Sequence, residues 1–143
     1  MILLANSAQA EQLAALEATQ PQAAGWAKKG FETELTQPHA QIWIYTLQEQ
    51  IIGFLALRSV GDFAEILNVA VHPRHTRKGL AQKLLNHALA QLAEKQVKQV
   101  SLEVAKDNPP AIALYTQAGF QTLGKRKNFY GPGRDGLIMG KDL

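Results

Sequence analysis

The chain of 143 residues contains no cysteine. That absence excludes a disulfide framework, a Cys-x-x-Cys redox pair, a thiolate zinc site and a cysteine nucleophile. Aromatic residues are few, 7% of the chain, and Trp26, Trp43, Tyr45, Phe63 and Phe129 are too scattered to form a base-stacking face. The longest strongly apolar run, Ile51 to Leu57, falls far short of a membrane span. Met1 to Ala5 is apolar but lacks the basic flank and the length of an export signal. The expectation is a cytoplasmic protein that binds neither membrane nor nucleic acid.

Several catalytic signatures are missing as well. There is no G-x-x-x-x-G-K-S/T phosphate loop, and no glycine-rich dinucleotide fingerprint. Ser7, Ser59 and Ser101 lie in no G-x-S-x-G context, which argues against a serine hydrolase. His72 and His75 flank Pro73 in a turn that offers no fixed ligand face, so no metal is expected. Charge is only mildly unbalanced: fifteen Lys and Arg against twelve Asp and Glu give +3. Such a balance suits an anionic ligand and is too weak to argue for nucleic acid.

What is present is an ordinary globular composition, 46% hydrophobic and 19% charged. A chain of this length forms one domain, here residues 1–143, and buries enough surface to hold a core. Ala10, Leu13, Ala14 and Leu16 predict a helix over about Ala8–Thr19, capped by Ser7, with Glu11, Gln12 and Glu17 on its outer side. A second short helix is predicted through Trp26–Leu35. Period two then takes over. Strands around Ile42–Thr46, Ile51–Arg58 and Phe63–Val71, separated by turns at Gln48–Gln50 and Ser59–Asp62, read as an antiparallel meander. The wide apolar stripe Leu80, Ala81, Leu84, Leu85, Ala88, Leu89 and Leu92 marks the clearest helix, Gly79–Val97, with His87 on its surface. A strand at Val97–Val104 follows. Asn108 caps a helix that opens on Pro109 and Pro110 and stops at Gly119. Strands around Gln121–Phe129 and Leu137–Met139 finish the chain. The predicted order is α-α-β-β-β-α-β-α-β-β, an α/β (α+β) domain with a mostly antiparallel sheet flanked by helices.

One turn carries chemical interest. In Val71-His72-Pro73-Arg74-His75-Thr76-Arg77-Lys78-Gly79-Leu80-Ala81 a strand ends, a basic turn follows, and a long helix begins at a glycine. Free N–H groups and the positive end of the helix dipole point at one spot there, which makes an anion site. Arg74, Arg77, Lys78 and Lys83 add charge. A basic loop before a helix is equally what a solvated turn looks like.

The arrangement Asn68-Val69-Ala70-Val71-His72-Pro73, then Arg77-Lys78-Gly79-Leu80-Ala81, resembles the acetyl-CoA-binding motif of the GNAT superfamily of N-acetyltransferases. Thr76 replaces the usual Gln or Arg of that motif, while Gly79 and Ala81 fit it. Leu102-Glu103-Val104, Asn108-Pro109-Pro110-Ala111-Ile112-Ala113-Leu114-Tyr115 and Gly119-Phe120 are similar to the superfamily's C-terminal motif. Lys127-Asn128-Phe129-Tyr130 and Asp135-Gly136-Leu137-Ile138-Met139 look like the bacterial ribosomal-protein alanine N-acetyltransferases, the RimI type. Trp26 and Phe31 match that group's early aromatic pair, but Ala27 stands where it usually has a helix-capping Ser.

The resemblance implies acetyl-CoA as co-substrate and the N-terminus of a protein or peptide, a ribosomal protein for the RimI type, as acceptor. It places Val69, Ala70 and Val71 along the pantetheine arm and Arg77, Lys78, Gly79, Leu80, Ala81 and Gln82 around the diphosphate. Asn108 would bond the arm. Glu103 would be the general base and Tyr115 the general acid, with a backbone N–H of the Val69–Val71 stretch polarising the thioester carbonyl. Without a cysteine or a serine elbow, direct transfer in a ternary complex is favoured over an acyl-enzyme. As a lone residue Glu103 also reads as a carboxylate on a half-buried strand, and Tyr115 as a tyrosine packed on the sheet. Glu32, Glu34, Glu65 and Asp135 could favour a basic acceptor. Two other readings keep the fold: an acetyltransferase of small amines, and a catalytically weak CoA-binding module.

Overall fold

A computed structural model describes residues 1–76 and 78–143. Seven strands and four α-helices follow in the order β1 (Ile2–Leu4), α1 (Ala10–Glu17), α2 (Ala27–Glu34), β2 (Ala40–Leu47), β3 (Gln50–Val60), β4 (Phe63–Val71), α3 (Leu80–Glu94), β5 (Gln99–Ala105), α4 (Pro109–Gln117), β6 (Gln121–Arg126) and β7 (Gly136–Asp142). The strands form one sheet in the order β1-β2-β3-β4-β5-β7-β6. The β4–β5 pair is parallel and the other five pairs are antiparallel. The expected mixed architecture is therefore present, with one strand more than the sequence reading supplies.

That extra strand is β1. Its three residues pair antiparallel with Trp43–Tyr45 of β2, and are too few for a period-two pattern to register. Three local corrections accompany it. The first helix is capped by Asn6, not Ser7: the Asn6 carboxamide accepts from the Ala8 N–H at 3.0 Å and Gln9 reaches back to the Asn6 N–H at 2.9 Å. Ser7 lies inside the short 3₁₀ turn Ser7–Gln9 that leads into α1. Glu17, assigned to the outer face of α1, is buried. His87, assigned to the surface of α3, packs its ring edge-on against Trp43 at a centroid distance of 4.5 Å.

Both faces of the sheet are covered over β2–β4. On one side Leu84, Leu85, Ala88, Leu89 and Leu92 of α3 and Tyr115 of α4 meet Leu55, Leu57, Ile66, Val100 and Leu102. On the other, Leu13 and Leu16 of α1 and Phe31 of α2 pack on Ile42, Ile44, Phe54 and Ala70. The β2–β3 turn takes positive φ at both Gln48 (51°) and Glu49 (66°), the shape of a two-residue type I′ connection, here without glycine. The Asn108 cap stands as expected, its side chain accepting from the Ala111 N–H at 3.4 Å, with Pro in the first turn. No helix among the described residues is long and apolar enough to cross a membrane.

Candidate active site

The sheet opens at its middle. Between β4 and β5 the ladder runs only from Phe63↔Gln99 to Ile66↔Leu102. Yet β4 continues to Val71 and β5 to Ala105. The cause is local. Ala56 of β3 pairs with Asn68 while Leu57 pairs with Ile66, so Leu67 is an extra residue bulging out of β4. A bulge bends its strand and increases its twist, and from this residue on β4 leaves β5. Its outer edge stays bound to β3 as far as Val71. The inner edge of Val69, Ala70 and Val71 therefore presents backbone groups to a gap instead of to a neighbouring strand.

At the open end of this gap α3 begins. Gly79 adopts φ 74° and supplies no side-chain cap. A Cβ at Gly79 would meet nothing within 4 Å, so the space above the turn is open. The N–H groups of the first turn, Leu80 to Gln82, point out of the helix end with the dipole behind them. Lys78 and Gln82 are exposed beside them, Ala81 is half-buried and Leu80 is buried under the turn. Arg77 lies outside the described residues. Thr76 turns inward: its hydroxyl donates to the Pro73 carbonyl at 3.0 Å and so stabilises the turn. The His72 ring accepts from the Arg74 N–H at 3.2 Å through Nδ1. No group of side chains among the described residues is suited to hold a metal ion.

Deeper in, Glu103 projects from the face of β5 opposite buried Leu102 and Val104. Its Oε1 lies 3.4 Å from Arg126 Nε. Oε2 is buried and has no partner among the described residues. A buried acceptor in that condition is expensive unless something else completes it. Tyr115, 7% exposed, packs edge-on against Phe120. Burial, and next the neighbouring Tyr130, push its phenol up to about 12. Tyr130 is raised in turn, by burial first and then by the negative charge of Glu103, with Arg134 opposing. Tyr130 is thus the electrostatic neighbour that Glu103 and Tyr115 share. Asn108 commits its side-chain oxygen to the helix cap.

Sequence reasoning missed the lacing around this end. Arg134 of the β6–β7 loop bonds Asp107 twice, Nε at 2.7 Å and Nη2 at 3.0 Å, and Nη2 also reaches Gln22 at 3.3 Å. Its guanidinium lies 5.9 Å from the Tyr130 ring centroid. Three segments distant in sequence meet there, so no local pattern announces the contact. Of the four acidic residues suggested as an acceptor-facing set, Glu34 is closed off by Arg58. Asp135 is likewise occupied, by the Asn128 N–H at 2.9 Å and by Lys125. Glu32 and Glu65 remain exposed.

Residues 7–120 match the model of the acetyltransferase (GNAT) family. The chain is 33% identical to the ribosomal protein bS18-alanine N-acetyltransferase of Escherichia coli strain K12 over 111 residues, 78% of this chain and 74% of that one. It is 35% identical over 116 residues, 80% of this chain and 77% of the other, to a Bacillus subtilis (strain 168) protein that bears the same name provisionally. The crystal structure of the Escherichia coli ribosomal-protein-S18-alanine N-acetyltransferase superposes with a TM-score of 0.90 at 27% identity, covering 100% of this chain and 93% of that one. The opened sheet, the uncapped helix start and these likenesses agree: the chain belongs to the GNAT acetyltransferase family.

Proposed function

We propose that residues 1–143 form one cytoplasmic acetyltransferase domain that uses acetyl-CoA to acetylate the α-amino group of a protein's N-terminal alanine, with a ribosomal protein as acceptor. The observation that carries this reading is the gap between β4 and β5, with an uncapped helix start at its mouth and an unpartnered carboxylate oxygen of Glu103 inside. The relatives named for alanine N-acetylation of bS18 support the acceptor.

Val69, Ala70 and Val71 would bind the pantetheine arm by their free edge. Lys78 and the N–H groups of Gly79, Leu80, Ala81 and Gln82 would bind the diphosphate. Asn108 would complete the arm's hydrogen bonds. When bound, acetyl-CoA supplies the acetyl group as a thioester reactive towards amines.

Glu103 takes the proton that the acceptor's α-ammonium must lose. That amine has a pKa near 8 against about 10.4 for a lysine, so neutralising it costs roughly 3–4 kcal/mol less at neutral pH. A backbone N–H of the Val69–Val71 edge donates to the carbonyl oxygen as charge grows there. Tyr115, held protonated at neutral pH by its burial, donates to the departing sulfur and regains a proton from the nitrogen. One C–N bond forms, one C–S bond breaks, and one net proton is released.

The test is thiol release from acetyl-CoA with alanine-initiated peptides, lysine-bearing blocked peptides and polyamines, followed by mass mapping of the product. Acetylation confined to the α-amine of the alanine peptides is expected. Preference for the free amines, or no turnover with any of them, overturns the reading.

A further inference from the structure

Glu17, the last residue of α1, is 4% exposed, and its carboxylate makes no ion pair with a Lys or Arg among the described residues. Three neutral donors hold it: the Trp26 N–H at 2.9 Å and the Asn68 side-chain amide at 2.7 Å on Oε2, and the Ala27 N–H at 3.0 Å on Oε1. Asn68 is as deeply buried, and its own oxygen accepts from the Ala24 N–H at 3.2 Å. Between them the two side chains fasten the end of α1, the connector at Ala24–Trp26, the start of α2 and strand β4. Glu17 thereby caps α2 from a distance, where Ala27 has no side chain to do so. Ala27 sits at φ 59° to present its N–H, a left-handed conformation that L-residues adopt only at a cost.

Burying a carboxylate is costly, and well-packed apolar groups often serve stability as well or better. A pair that tolerates this cost, at this place, has a geometric use. Asn68 follows the bulge residue Leu67 and precedes Val69, the first of the residues whose edge faces the gap. Past Ile66 strand β4 has lost its β5 neighbour, and on that side nothing in the sheet fixes its height. The Asn68 side chain does so from the helical face.

We propose that Glu17 and Asn68 are positioning residues of the transfer reaction. They hold the free edge of Val69–Val71 and the α1–α2 connector in one relative placement, so that the carbonyl-polarising N–H and the acceptor side of the gap stay aligned. This rests on the function proposed above.

Two measurements on the full chain test it separately. The first is amide exchange, which needs no turnover. In Glu17→Gln, which keeps size but loses the charge and one acceptor, the β3-paired amides of Asn68–Val71 and those of Ala24–Ala27 should exchange at least about 10-fold faster, with β2 and α3 unchanged. The second is turnover of an alanine-initiated hexapeptide at a temperature where the variant is fully folded. There kcat should fall about 10–100-fold, as misplacement of a catalytic group by an ångström does, while the KM for acetyl-CoA stays within about 3-fold.

The double variant Glu17→Gln/Asn68→Asp, which exchanges donor and acceptor across the 2.7 Å contact, should recover part of kcat. Should Glu17→Gln fail to fold, Asn68→Ser is judged by the same two criteria. Exchange like that of the wild type, or a kcat that falls only with the folded fraction, overturns the positioning role. An inactive wild type with the expected exchange pattern would refute the function and leave the bracing intact.

Discussion

Glu103 and Arg126 face each other across the β5–β7–β6 edge at 3.4 Å, yet the pairing uses one carboxylate oxygen and leaves the other buried and, among the described residues, unpartnered. A purely structural ion pair would satisfy both oxygens or expose them. In the proposed mechanism the unused lone pair of the buried oxygen would receive the acceptor amine, or a water leading to one.

Glu103→Gln keeps the shape and removes the proposed base. The expected result is a loss of about 100-fold in kcat/KM, with the remaining rise near about pH 8 following the acceptor's own α-amine. Steady-state rates across pH decide it. A loss of only a few-fold would move the base elsewhere.

Tyr115 is protonated throughout the working range, because burial lifts its phenol to about 12. Tyr115→Phe should therefore lower kcat without shifting the alkaline limb of the profile. The same shift affects folding. Between the ordinary tyrosine value near 10 and 12 the native chain keeps a proton that the unfolded chain has lost. The stabilisation, on the order of 3 kcal/mol, is complete below about pH 10 and is lost as pH rises through 12. Spectroscopic titration should show one of the three tyrosines ionising only near pH 12.

Gly79→Ala separates backbone from ligand effects. No neighbouring atom obstructs the new methyl group, so the stability cost is that of φ 74° alone, about 1–2 kcal/mol. The methyl would stand in the open space above the helix start. The KM for acetyl-CoA should rise by at least about 10-fold, more than such a melting shift accounts for. Thermal unfolding alongside calorimetric titration of the donor checks both halves.

Arg134→Ala unties the β6–β7 loop from Asp107 and Gln22. Both partners of the ion pair are substantially exposed, so global stability should barely change. The effect belongs to the acceptor: its KM should rise several-fold while that for acetyl-CoA holds. High salt should reproduce part of this in the wild type. Equal changes in both KM values would show that the loop serves the whole fold.

The sequence made the sheet legible wherever alternation lasted more than about five residues, and β4 is found with the ends Phe63 and Val71 that its pattern predicts. It also marked α3 and the Asn108 cap, because a long apolar stripe and an Asn before prolines have local physical causes. What it hid depends on contacts between distant residues. Glu17 looks like a solvent-side position on the helical wheel, since its donors lie nine or more residues away. The bulge at Leu67 is invisible because a half-buried Leu and a buried Asn fit alternation as well as break it. His87 was misplaced for the same reason: its partner is Trp43, on another strand. Of the candidate site, family likeness offers Glu103 and Tyr115, whereas Tyr130 as their shared neighbour, and the Arg134 lacing, required coordinates.

The closing point of the β4–β5 ladder has a consequence for donor choice. Ile66 and Leu102, where the strands come back together, are both buried, at 5% and 1% exposure, and form a wall at the end of the slot. With the donor placed as proposed, a two-carbon acyl group would stop in front of this wall, and each added methylene would have to push two paired strands apart or draw the reactive carbon back from its proposed N–H donor. On the proposed placement of the donor the backbone itself would limit acyl length, and propionyl and butyryl donors should be turned over progressively more slowly even where they bind as well.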